Sequence, residues 1–478
     1  MAENTATKEA IVIGAGPNGL AAAVTLAQAG LKVKVYEKND TVGGACRSAE
    51  LLQSGFVHDT GSAIQPLAVE SPFFRQLDLT GFGLKWCYPP AALAHPFDDG
   101  TAVVLKKSIL DTASTLDEID CPRYVKMMTP LVNCWEAIVD NIMFFPKVKL
   151  ADYRALINFG LYARLSASGL AKSQFAGPRA QAFLAGLGVH AVMPLTRATS
   201  AAAGLMLGIS GHARGWPFPV GGAQKITDAL AAFLKSMGGE IFTNSPITNL
   251  KNLPGDSLQL LDITPRQLMQ ISGGLFPNNY RKKLEKFVYG PGVFKLDWIL
   301  REPIPWKATA VKTAGTLHLG GGYSEILAAE NAVWAGLPPE KPFVILTQTS
   351  LFDNSRGRDG QQVAWAYCHV PHGSPVDMTD RIEAQIERFA PGFRDIITAR
   401  KATSPAVLEA LHPNCIGGDI TGGQLNLRRL LFPEISYQTP VKNIFLCSAT
   451  TLPGPGVHGM CGYRAAQIAL HSRNAAAV

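Results

Sequence analysis

Charge is scarce in this 478-residue chain: Asp, Glu, Lys and Arg together make up 17%, against roughly 25% in a typical soluble domain. The formal charge is +7, but no long basic run accompanies it, so nucleic acid is not expected as a partner. The densest basic cluster is Arg281, Lys282, Lys283 and Lys286, with Leu284 within it and Phe287 directly after it. It reads as a solvated helix face, with peripheral contact to an anionic membrane as the second reading. Eight scattered cysteines form no CxxC pair and no metal-ligand spacing, which argues against a zinc site and a disulfide scaffold. A metal is therefore not expected, and a cytoplasmic, reducing setting is, with membrane association as its alternative. The start MAENTATKEA is not basic, and Gly14, Gly16 and Pro17 break the apolar run that follows. A signal peptide is not expected there.

Apolar residues are plentiful, at 47%, and the length allows about three domain-sized units. Two stretches are almost free of charge. Between Lys442 and Arg464 the density of Gly and Pro predicts a loop rather than a membrane helix. From Ala180 to Ala213, Arg197 is the sole charge and Pro194 divides the segment. Two buried helices lining an apolar cavity are expected, and a monotopic dip into a membrane is the alternative.

The pattern of apolar residues then organises the chain. AIVIGAGPNG, LAAAVTLAQAG and LKVKVYEK read as strand and tight turn, helix, and strand, a βαβ unit. The continuous run Ile11-Val12-Ile13 suits a strand covered on both faces. Further on, Ile226, Leu230, Phe233, Leu234 and Met237 form one helical stripe closed by Gly238-Gly239, after which EIFTNSPI reads as a strand and GDSLQLLDITP as another. NIFLCSATTLPGPGVHGMCGYRAAQIAL reads as strand, Gly/Pro loop and helix, returning to the first unit. The expected division is a discontinuous dinucleotide-binding domain from 1–90, 216–265 and 421–478, with a substrate domain from 91–215 and 266–420.

The strongest chemical signal is Gly14-Ala-Gly16-Pro-Asn18-Gly19, which leaves a strand and opens a helix, with Glu37 ending the next strand. Gly14 permits the turn, Gly16 lets the backbone approach a pyrophosphate, and Gly19 lets helix and strand pack closely. The helix N-terminus supplies amide donors and partial positive charge. Glu37 would accept hydrogen bonds from a ribose and would repel a 2′-phosphate, which disfavours NADP. The pair Gly43-Gly44 follows the acid in EKNDTVGGACRS, and GFVHDTGS, with Ser62, comes after it.

Together with GWPFPVGGAQKITDALAAFLKSMGGEI and FLCSATTLPGPGVHGMCGYRAA, these segments resemble the phytoene-desaturase-like FAD-dependent oxidoreductases, near the pyridine nucleotide-disulphide oxidoreductase domain 2 branch. The resemblance implies an α/β fold: a two-dinucleotide-binding, Rossmann-like FAD domain with an α+β substrate domain of mixed sheet and helices. It implies FAD held by Gly14, Gly16, Asn18 and Gly19 at the pyrophosphate and by Glu37 at the ribose. Lys38, Gly43, Gly44, Ala45 and Ser62 would lie along the cofactor, and Ile247 would meet the adenine through its backbone. Ser448 would touch the cofactor, and Gly456, Val457, His458 and Met460 would sit under the flavin ring, where helix amides would stabilise negative charge. The chain departs from its relatives in having Ala45 where many have Arg, and Cys447-Ser448-Ala449 in place of a Gly-Asp pair. Cys46 has no partner thiol, since Leu51 occupies the second position, so disulfide reduction is not expected. A second fingerprint for NAD(P)H is absent, which leaves oxygen, a quinone or a protein as the electron acceptor, or a reaction with no net redox change.

No catalytic base stands out. Tyr367 and His369 share a strand face with Trp365, Lys295 shares one with Asp297, and His190, His212 and Arg214 lie at the apolar helices. The expected function is an FAD-dependent oxidoreductase that desaturates, saturates or isomerises carbon–carbon bonds of an apolar, polyene or lipid-like substrate. Flavin amine oxidation and a non-catalytic FAD-bound scaffold are the alternatives.

Overall fold

The computed structural model describes residues 9–144, 149 and 152–475. Its first sheet has five parallel strands in the order Ile444–Leu446, Leu258–Leu261, Glu9–Ile13, Lys32–Tyr36, Glu240–Phe242. The fingerprint strand Glu9–Ile13 is central, and its apolar run is buried on both faces. Helix Pro17–Gln28 packs between helices Gln224–Ser236 and Met460–Ala475. The stripe of Ile226, Leu230 and Leu234 is fully buried, and each side chain contributes roughly 1.5–3 kcal/mol by leaving water. Gly238 takes φ +84° directly after that helix, the left-handed cap its sequence predicts.

One element is shorter than its pattern. The strand read in EIFTNSPI ends at Phe242, because Asn244 adopts φ +51° and donates its backbone N–H to the Asn39 carbonyl at 2.8 Å. The chain there turns along the carboxyl ends of the parallel strands, where α/β folds place their ligands.

The second sheet has seven strands in the order Ile397–Thr403, Gly292–Leu300, Gln362–Val370, Val344–Thr347, Ala314–Leu319, Ala91–Pro96, Ala102–Lys106. All neighbours are antiparallel except Ala314–Leu319 and Ala91–Pro96. Strand alternation sorts its side chains. Phe294, Leu296, Trp298 and Leu300 pack on Met378, Ile382, Ile386 and Phe389 of the outer helix and its cap, while Val293 and Lys295 reach the opposite face and the interior cavity. Helices Pro178–Val189 and Ala201–Ala213 pack on each other beyond this face. Among the described residues, no helix is long and apolar enough to cross a membrane.

Candidate functional site

A single cavity of about 1280 Å³ runs from the glycine fingerprint to the two apolar helices. Small-molecule pockets usually hold ~300–1,000 Å³, so there is room for a dinucleotide and a second molecule. At one end its wall includes Gly14, Gly16, Asn18, Glu37, Lys38, Gly44, Ala45, Ser62 and Ile247. Ser448, Gly456, Val457 and His458 line it further along, and Ile142, Met143, Val192, Met193, Ala203, Met206 and Leu207 line the apolar end.

Sterics explain the glycines. A Cβ on Gly16 would lie 2.8 Å from Oδ2 of Asp262, and one on Gly44 would lie 3.3 Å from Cα of Gly16, so two backbones and a carboxyl already crowd the cradle. Gly19, Gly43 and Met460 do not face the cavity; of the predicted cofactor residues, these three lie behind it. A Cβ on Gly19 would collide with the Gly14 carbonyl oxygen. Gly43 takes φ +127° and donates its N–H to the Ala15 carbonyl at 2.8 Å. Met460 is buried in the core.

Glu37 is buried, and its carboxylate accepts from the amide of Ala15 at 2.8 Å and from both the backbone and side chain of Asn39 at 2.9 Å. These bonds fix the acid at the end of its strand. The Asn18 carboxamide is buried in the first helical turn, and its oxygen has no partner among the described residues. A cradle too tight for a Cβ, a helix N-terminus facing it and a buried acid at the end of the next strand fit a dinucleotide.

The loop Gly456–Met460 is held by hydrogen bonds of its own. His458 is sealed from solvent, its Nε2 donates to the Gly454 carbonyl at 3.1 Å and its Nδ1 accepts the Met460 amide at 3.0 Å. Burial lowers its pKa to about 4, so the ring is neutral. Both nitrogens thus staple the loop, and the Met460 amide is already satisfied rather than free to stabilise charge. Ser448 likewise spends its hydroxyl on the Ile263 carbonyl and on Thr450, each at 2.7 Å.

Asp262 is the residue that sequence reasoning missed. It follows the strand Leu258–Leu261, lines the cavity, and accepts the Gly19 amide hydrogen at 3.0 Å. Burial, with the Glu37 charge adding and the Gly19 hydrogen bond opposing, raises its pKa to about 7. The signal available was its place at the carboxyl end of a short apolar strand, where ligands of α/β sheets bind.

The candidate polar groups divide by environment. The register sets Lys295 opposite Tyr367 and Asp297 opposite Trp365, so the two pairs share one sheet face. Lys295 is buried, paired with Asp297 and placed 5.8 Å from the centre of the Trp365 ring. Burial lowers its pKa although Asp297 pulls the other way. His58 Nδ1 stands 3.6 Å behind Asp297. Lys295, Tyr367 and His190 line the cavity. His369 is tied to Glu330 at 2.9 Å, His212 to the Tyr124 hydroxyl at 2.8 Å, and Arg214 to Glu70 and Glu136 at 3.0 and 2.8 Å. Those three do not face the cavity.

Residues 12–76 match the family of NAD(P)-binding Rossmann-like domains. A mouse protein, pyridine nucleotide-disulfide oxidoreductase domain-containing protein 2, is 26% identical over 96% of this chain and 93% of its own. Hydroxysqualene dehydroxylase of Rhodopseudomonas palustris is 52% identical over 12% of this chain and 13% of its own. A solved structure of a putrescine oxidase variant shares the fold with a TM-score of 0.61 at 17% identity, covering 98% of this chain and 99% of that one. The chain thus has a Rossmann-like α/β fold shared with solved oxidase structures, and it is similar along almost its whole length to the pyridine nucleotide-disulfide oxidoreductase domain-containing protein 2 of mouse.

Proposed function

We propose that the chain binds FAD and oxidises, reduces or isomerises carbon–carbon bonds of an apolar, polyene or lipid-like molecule. The observation that carries this reading is the continuity of the cavity. The fingerprint that fits a dinucleotide opens, within one space, onto a wall of Ile142, Met143, Val192, Met193, Ala203, Met206 and Leu207. Bound FAD would supply hydride acceptance and donation. Gly14, Gly16 and Asn18 would hold its pyrophosphate and Glu37 its ribose. The apolar wall would orient a ligand by excluding water, and the Lys295 amino group, positioned by Asp297, would hold or release a proton at Nζ.

Amine oxidation is less well supported. The carboxylates that line the cavity, Glu37, Asp262, Glu409 and Asp419, belong to its dinucleotide side, and none stands among the lining residues 142–143, 190–193 and 199–207. An ammonium group would find no counter-ion among the described residues lining that end. Oxygen, a quinone or a protein would take the electrons, and contact with a membrane would deliver the ligand.

The test is anaerobic addition of polyene, retinoid and fatty compounds to purified flavin-containing protein. Bleaching of the flavin by one of them, or its change by the reduced protein, supports the reading. Bleaching by amines alone, with peroxide release in air, overturns it.

A further inference from the structure

Asp262 brings a carboxyl group into the glycine cradle. It follows the strand Leu258–Leu261, which pairs with the fingerprint strand so that Leu261 lies beside Ile13. Its backbone N–H donates to the Ile13 carbonyl at 2.8 Å, and its own carbonyl accepts from the Asn414 side chain at 2.9 Å. The backbone is thus pinned on both sides, and the side chain reaches the first turn of the fingerprint helix.

The two carboxyl oxygens differ. Oδ2 accepts the Gly19 amide hydrogen at 3.0 Å and would lie 2.8 Å from a Cβ on Gly16. Oδ1 makes no hydrogen bond to a described residue, yet it is not shut off from the cavity, whose wall Asp262 helps to form. One oxygen is therefore open to whatever fills the cradle.

The surroundings of the group favour a proton on it. Glu37, following the strand Lys32–Tyr36, adds negative charge. Burial keeps the thiols of Cys447, after the strand Ile444–Leu446, and Cys461, on the C-terminal helix, protonated. The helix Pro17–Gln28 carries no titratable side chain. From the loop after the helix Pro405–Leu411 come the neutral Asn414 and His412, whose pKa is lowered to about 4 by burial, with the Arg47 charge adding. On the helix that follows Asp262, Arg266 is paired with Glu409 at 3.2 Å. Among the described residues no cation pairs with Asp262. A pyrophosphate would bring further negative charge, and like charges in one buried site drive the weaker acid to take up a proton. A carboxyl group held neutral then becomes a donor where the anion needs one.

Resting on the FAD reading above, we infer that Asp262 is a cofactor-binding residue in its neutral form, keeping Oδ2 on the Gly19 amide and donating a hydrogen bond from Oδ1 to a pyrophosphate oxygen. FAD capture is thereby coupled to uptake of a proton whenever the free protein holds this acid ionised. Burial raises the group to about 7 in the free chain, so the coupling sets in above that pH.

The experiment measures FAD binding to the flavin-free protein by calorimetry between pH 6 and pH 9, in pairs of buffers that differ in ionisation heat. In the natural protein the dissociation constant is expected to be flat near pH 6 and to rise by about tenfold per pH unit in the alkaline range, with about one proton taken up per FAD at pH 8.5. Asp262→Asn keeps a donor and cannot titrate, so its affinity should not depend on pH and no proton should be taken up. Asp262→Ala loses donor and charge together and should bind about tenfold more weakly than Asp262→Asn at every pH. No proton uptake in the natural protein, uptake that persists in Asp262→Asn, or equal affinities of the Asn and Ala variants overturns the inference alone. FAD that binds at no pH overturns the FAD reading and takes this inference with it.

Discussion

The carboxyl group of Asp262 accepts the amide hydrogen of Gly19 at 3.0 Å across 243 residues of sequence, joining the end of one parallel strand to the first turn of the fingerprint helix. The acid therefore sits in the cradle where a pyrophosphate would lie, and its burial favours the neutral form.

That placement makes stability depend on pH in a defined direction. The Asp262 pKa is raised in the folded chain to about 7 from the ordinary 3.8. Its contribution is fully present below the lower value and is lost as pH rises through the higher one. Asp262→Asn removes this dependence. The melting temperature of flavin-free Asp262→Asn minus that of the natural protein should grow between pH 4 and pH 8, by about 2 °C or more. Paired thermal scans check it, and a difference that stays flat with pH would sink the assignment.

Two neighbouring glycines should fail in different ways. In Gly19→Ala the new methyl group meets the Gly14 carbonyl, a rigid backbone atom, so a loss of about 3 kcal/mol or more of stability is expected. In Gly16→Ala the nearest atom is Oδ2 of Asp262, at 2.8 Å, on a side chain that can turn. That variant should stay folded while its bound flavin falls severalfold. Urea unfolding combined with the ratio of visible to ultraviolet absorbance separates the two effects.

Arg356 is fully buried, with Nε 3.1 Å from Asp353 and Nη1 3.0 Å from Asp59. Its other terminal nitrogen donates to the Pro219 carbonyl at 3.2 Å. Arg356→Met strands two buried carboxylates, and a loss of about 3–5 kcal/mol is expected. Replacing Asp59 by Asn in the same chain should recover part of it. Chemical denaturation of both variants measures this, and a single variant as stable as the natural chain would show that the cluster is not structurally important.

Ala203 lies on the helix Ala201–Ala213 and lines the apolar end of the cavity. Ala203→Leu adds volume to that wall without touching the fingerprint. Flavin content should stay constant while the affinity for long apolar ligands drops severalfold, as read by the flavin absorbance change on titration. Equal loss of flavin and ligand would mean that the two ends of the cavity are not independent.

Legibility followed the range of the interactions. The fingerprint turn, Glu37 and the Gly43-Gly44 pair were readable because sterics between near neighbours in the chain dictate them, and each lies beside the cradle. The helices around Pro194 were readable from their lack of charge. For His458, sequence shows that an imidazole is present but not where its two nitrogens point; the loop folds back so that both are spent within it.

The sequence by itself determined the local machinery: a strand, turn and helix with glycines where a Cβ would collide, an acid at the following strand end, and two uncharged stretches. Only the tertiary structure decided which distant groups meet there. Asp262 reaches Gly19 because its strand lies beside the fingerprint strand. Lys295 and Asp297 join Tyr367 and Trp365 through antiparallel register. His190, His318 and His95 come together because a helix end crosses two adjoining strands. Strand order and register depend on burial summed over the whole chain, and no local pattern of residues encodes them.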